Sequence, residues 1–184
     1  MGDGDDQITA HVDELLADQA ARERTRQRWL QQQALESAQL SGVLLAMAES
    51  AATVTLLTVA GHQHQGTLTD VTADHCRIIT VQGSVVLLRL SAVSVVTPDR
   101  SLRAAAAADD RPAPAGPRFA EALSDRAGER PEVAVRTVGR PDPVVGRLLA
   151  VGSDVMTLQV DERRRLAYVS LASVTDVSFL AASG

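Results

Sequence analysis

Three groups of side chains have types and spacing suited to chemistry. His62 and His64 stand two residues apart, on one face of any strand carrying them, and with His75 or Cys76 they would offer a zinc ligand set. A metal site needs three or four ligands with supporting partners behind them. The second half of the chain puts Arg140 to Pro143 where the histidine loop stands, so a polar hairpin without metal is expected. Asp74 and Asp154 could do acid–base work as carboxylates. Both fall in turn texture, where Asp more often hydrogen-bonds its own backbone. Arg163, Arg164 and Arg165, with the series Arg22, Arg24, Arg26 and Arg28, are candidate phosphate contacts.

Nucleic-acid affinity rests mainly on phosphate neutralisation. The chain's four aromatics are Trp29, Phe119, Tyr168 and Phe179, which leaves the first half without a stacking platform for single strands. Asp18 stands one turn before Arg22, as it would in a paired, solvated helix face. RNA contact through Arg163, Arg164, Arg165, Arg22 and Arg26 is therefore the second expectation, behind protein interaction. Gly-rich phosphate loops, Ser-His-Asp and Cys-His groupings are missing, so neither an enzyme nor a cofactor is expected.

The elements that must position these residues follow from composition and texture. At 184 residues, 45% apolar and 22% charged, the chain is long enough for one large or two small globular domains and is neither disordered nor fibrous. The net charge of −5 is concentrated at the start, where residues 1–50 hold nine acids against four arginines. All 18 basic residues are Arg, a bias that suggests a GC-rich, actinobacterial genome. The single cysteine, Cys76, excludes an internal disulfide. The acidic start lacks the regions of a signal peptide, and the most apolar stretch, 43–59, is interrupted by Glu49 and is too short to span a membrane. A cytoplasmic protein without membrane contact is expected.

From Asp5 to Ser41 there is neither Pro nor Gly, and good helix formers dominate, so a long N-terminal helix is expected. Ile8, Val12, Leu15 and Leu16 form a short apolar stripe on it, a candidate face for docking on a partner. After Ala51 the texture turns to β-branched residues with turn signals at short intervals. Five strands are expected at 53–59, 66–71, 76–81, 84–90 and 92–96. Residues 99–116 are Pro- and Ala-rich, the composition of a linker. A short helix at 118–127 follows, and strand texture resumes at Val133.

Sliding the chain on itself by 79 residues lays Leu40 on Phe119, Leu44 on Leu123 and Val54 on Val133. One residue further, Gly66, Leu68, Val71 and Asp74 fall on Gly146, Leu148, Val151 and Asp154. One more lays Leu90, Val93 and Val96 on Leu171, Val174 and Val177. The two insertions fall in expected hairpin loops, where they leave the inward pattern of each strand intact. An internal repeat is expected.

A helix followed by five short strands, with G-x-L-x-x-V on the second strand and the compact close LSAVSVVTP, resembles the Sm and Sm-like fold, bacterial Hfq included. The resemblance covers residues 37–98 and again about 117–180, and the tandem arrangement behind a helical arm resembles actinobacterial proteins with two such barrels. It implies an α+β protein: a long N-terminal helix, then two tandem five-stranded Sm-like (SH3-like) small β-barrels, each preceded by a short helix. The units would be an arm at 1–36, a first barrel at 37–98, a linker at 99–116 and a second barrel at 117–181. The departures concern RNA. Leu90 and Ser91, and Leu171 and Ala172, stand where the family's Lys-His pair would be; Ala73 and Ser153 stand in place of its Gln, and Cys76 in place of the Sm Asn. The expected function is a non-enzymatic scaffold or interaction module, binding a protein partner or its own copy through the arm and the barrel edge strands.

Overall fold

The computed structural model describes residues 19, 22–26, 29, 39–99, 114–161 and 165–180. Helix α1, Leu40–Glu49, buries Gly42, Leu44, Ala46 and Met47 along one side. Its end is set by Ser50, whose hydroxyl donates to the carbonyls of Ala46 and Met47, and by Ala51 in the left-handed region (φ 47°). Five strands follow: β1 Thr53–Thr58, β2 Gln63–Val71, β3 His75–Thr80, β4 Val85–Arg89 and β5 Val93–Pro98, with a 3-10 turn at Leu90–Ala92 before the last. The second half has the same succession: α2 Phe119–Ala127, β6 Glu132–Thr137, β7 Val144–Val151, β8 Val155–Gln159, β9 Leu166–Ser170, a 3-10 turn at Leu171–Ser173, and β10 Val174–Phe179.

Alternation explains the strands. In β1, Val54, Leu56 and Thr58 are buried while the residues between them are not, the period of two that puts one face on a core. Gly66 and Gly146 occupy matching places on β2 and β7. A Cβ on Gly66 would lie 2.2 Å from the Ile79 carbonyl oxygen, and one on Gly146 2.5 Å from that of Gln159, so the backbones cross too closely for any side chain. Both strands also carry a register shift just beyond, between Leu68 and Asp70 and between Leu148 and Ala150, which bends them over their cores.

All ten strands belong to one antiparallel sheet, in the order β5-β1-β2-β3-β4-β10-β6-β7-β8-β9. Two expectations are corrected by it. The fold is not two separate five-stranded barrels: β4 pairs with β10 (Asp176↔Leu88, Val177↔Leu87, Ser178↔Val86, Phe179↔Val85), making the halves one continuous sheet. The physical reason lies in β4 itself, an apolar strand whose unpaired backbone groups recruit another strand. Two apolar clusters remain, one around Leu44, Leu56, Leu68 and Ile78, the other around Phe119, Leu123, Leu148 and Leu158; Leu87 of the first half packs into the second. Nor does a long N-terminal helix run into the first strand among the described residues. Residues 22–26 are helical, but Gln39 is extended (φ −101°, ψ 145°) and a separate helix begins at Leu40. The protein is mostly β, not α+β.

Candidate functional site

The functional groups that the fold brings together lie at the seam between the halves. On one side of it, β10 carries Asp176, fully buried in a strand otherwise built of apolar and hydroxyl side chains. Three groups surround its carboxylate. His64 Nε2, from β2 of the first half, lies 3.1 Å from Oδ1; Arg136 Nη1, from β6, donates to Oδ1 at 3.3 Å; and the Thr175 hydroxyl donates to Oδ2 at 2.9 Å. Burial opposes ionisation of this carboxyl, but His64, Thr175 and Arg136 outweigh it and hold Asp176 below the usual carboxylate range. A charge in a dry interior needs this degree of partnering.

The other side of the seam is built on the turn between β2 and β3. The Asp74 carboxylate accepts the backbone N–H of Phe119 through both oxygens, at 3.0 and 3.1 Å, so a loop of the first half caps helix α2 of the second. The sequence places the Asp74 side chain on the backbone of its own turn; instead it reaches across to the other half, and within the turn it meets the side chains of Thr72 and His75. His75 Nδ1 lies 3.0 Å from Asp74 Oδ1 and 2.8 Å from the Thr72 hydroxyl. Burial raises the Asp74 pKa, but the His75 ring, the Phe119 N–H and the Arg89 charge bring it below its ordinary value. Arg89 donates to the Leu171 carbonyl at 2.8 Å and lies over the Phe119 ring at 5.2 Å, with His75 edge-on to the same ring.

The histidines and the cysteine do not converge on a metal. His64 is engaged with Asp176 and His75 with Asp74, and among the described residues no group of three or more His, Cys, Asp or Glu could hold an ion. Cys76 is buried, and burial together with Asp70 pushes its thiol up to about 12, so it stays protonated and unreactive. Asp154, the counterpart of Asp74, is exposed. Of the candidate phosphate contacts, Arg165 is ion-paired with Asp161, and Arg22 and Arg26 are exposed on the helical segment at 22–26. Arg163 and Arg164 lie outside the described residues, as do the stripe residues Ile8, Val12, Leu15 and Leu16.

Sequence reasoning missed Asp176, Arg136 and Arg89. One signal was available: Asp176 interrupts the apolar run VTDVSF, and a carboxylate on a buried strand face implies a partner. No helix among the described residues is long and apolar enough to cross a membrane. Compared with known proteins, the chain matches no family model and no curated sequence.

Proposed function

We propose that the protein is a non-enzymatic interaction module that binds protein by adding strands to the ends of its sheet. The observation carrying this reading is the β4·β10 ladder. Strand pairing makes two halves with their own cores one sheet, so the fold already uses edge addition as a means of assembly. Two strands of the same kinds, β5 and β9, stand at the ends of the sheet with one neighbour each. An end strand presents a row of N–H and C=O groups that another strand can satisfy.

Photo-crosslinking groups placed at Ser94 on β5 and Tyr168 on β9 of the full chain test this in cells. Protein adducts at both positions, and none at Arg147 on an exposed strand face, are the expected result. Adducts of salt-sensitive RNA, lost on Arg163→Ala, Arg164→Ala and Arg165→Ala together, would replace this reading with RNA binding.

A further inference from the structure

Ahead of the sheet, positive charge and an aromatic ring stand on one side of a helical segment. Gln19, residues 22–26 and Trp29 are helical. Thr25, Arg26 and Trp29 follow Arg22 at three, four and seven residues, the spacing of a single helix face, and among the described residues these four line a groove of about 540 Å³. All four are exposed, and Trp29 leaves 62% of its surface to solvent. Arg side chains are apolar along their stems and charged at their heads. Beside an indole they suit a partner that is apolar along one line and acidic next to it.

A segment of that chemistry is present in the chain itself. Residues 3–18, outside the described residues, hold six acids and no Arg or Lys, whereas residues 22–28 hold four arginines and one acid. Ile8, Val12 and Leu15 are spaced four and three apart, and so are Arg22, Arg26 and Trp29. Leu15 and Arg22 are seven apart, so the two triplets share one phase of a heptad, the first apolar with acids beside it and the second basic and aromatic.

Charge and geometry decide how the two triplets can meet. To fold onto its own arginines the acidic block would have to turn back just before residue 22, but Gln19 is helical and neither Gly nor Pro stands between Asp5 and Ser41. The acids that meet this face therefore come from another chain. Two copies lying in the same direction would set acids on acids and arginines on arginines, which repels. In opposite directions each acidic block lies on the other's arginines, and a twofold axis between the blocks makes both contacts at once.

We infer that this face receives the acidic segment of a second copy: residues 8–18 of one chain lie antiparallel along residues 22–29 of the other, with Ile8 toward the Trp29 end and the acids beside the arginines. The inference does not rest on the strand-edge reading, since no strand takes part in the contact. Exposed ion pairs are individually weak and screened by salt, so the association is reversible and falls with ionic strength.

Sedimentation of the full chain over a range of protein and salt concentrations tests the inference. The wild type forms a dimer, more weakly at high salt. Arg24→Glu, Arg26→Glu and Arg28→Glu together weaken it by about tenfold or more, and so do Asp13→Arg, Glu14→Arg and Asp18→Arg together, because either set puts like charges on both contacts. An equimolar mixture of the two triple variants associates again, since the charges of one are now the complement of the other's. Trp29→Ala weakens association at low and high salt alike. Unchanged urea midpoints show that the sheet is intact in every variant. A wild type that stays monomeric at every concentration, a dimer that ignores both charge reversals, or triple variants that fail to associate when mixed each overturn the inference. A monomeric wild type that binds single-stranded RNA or vesicles of anionic phospholipid, and loses that binding with the three arginines, overturns it in favour of nucleic acid or membrane. The crosslinks at Ser94 and Tyr168 report on the strand-edge reading alone, so either reading can fail without the other.

Discussion

Asp74 and Phe119 are 45 residues apart in sequence, yet the carboxylate of one accepts the backbone N–H of the other through both of its oxygens. A helix start normally finds its cap in the residue just before it. Here that residue is Arg118, whose N–H is taken by Glu121 of the helix's own first turn, and a second carboxylate comes from the opposite half of the sheet, where it also meets the positive end of the helix dipole. The contact makes α2 depend on the first half for its register.

Asp74→Ala lowers stability to urea by about 1 kcal/mol, the usual cost of a lost cap, and Asp74→Asn retains most of it because the amide oxygen still accepts the N–H. An equal loss in both variants would mean that charge, not capping, is what Asp74 supplies.

The seam sets the response to acid. Asp74 and Asp176 both have folded pKa values below their unfolded values, the latter near about 3.9. Such groups stabilise fully above the unfolded pKa, and that stabilisation disappears as pH falls through the folded values. Denaturant midpoints recorded from neutral pH downward therefore fall below about pH 4, and Asp176→Asn, lower throughout, shows a shallower decline.

Breaking the buried trio one residue at a time is costly. Asp176→Val leaves Arg136 and His64 without their carboxylate and costs about 3 kcal/mol or more, whereas His64→Val, Arg136→Leu and Asp176→Val together recover most of it. Thermal melts of the single and triple variants measure the difference, and a triple variant no better than the single would show that shape, not charge, holds the seam.

Gly66→Ala and Gly146→Ala each drive a methyl group into a neighbouring backbone carbonyl and cost about 2 kcal/mol or more. Gly128→Ala, where a Cβ would meet nothing within 4 Å and φ is −59°, is neutral or slightly stabilising in the same urea titration.

Most strands were legible because their cause is local. The run at 53–56 alternates polar and apolar residues, and Gly66 marks the close approach of β2 to β3. The bounds that shifted did so for distant reasons. β2 begins at Gln63, not Gly66, because His64 is buried beneath Asp176, a residue 112 positions away. The union of the halves was illegible for the same reason. β4 and β9 are both apolar strands by composition, and the pairing of β10 with β4 brings Asp176 to His64, a match that spacing along the chain does not disclose. The candidate site followed suit: the paired aspartates were visible, but Asp74 serves a helix of the other half and Asp154 is exposed.

Of the strands described, the last in chain order is also the one that lies between the two halves of the sheet. Until β10 emerges, β4 and β6 each lack a neighbour, and Val85 and Leu87 have no second core to cover. The chain therefore passes through that stage of synthesis with both rows open, and only the segment between 174 and 179 closes them at once. A polypeptide stopped just before that segment would have four bare rims where the ten-stranded sheet has two, the kind of open edge that favours aggregation.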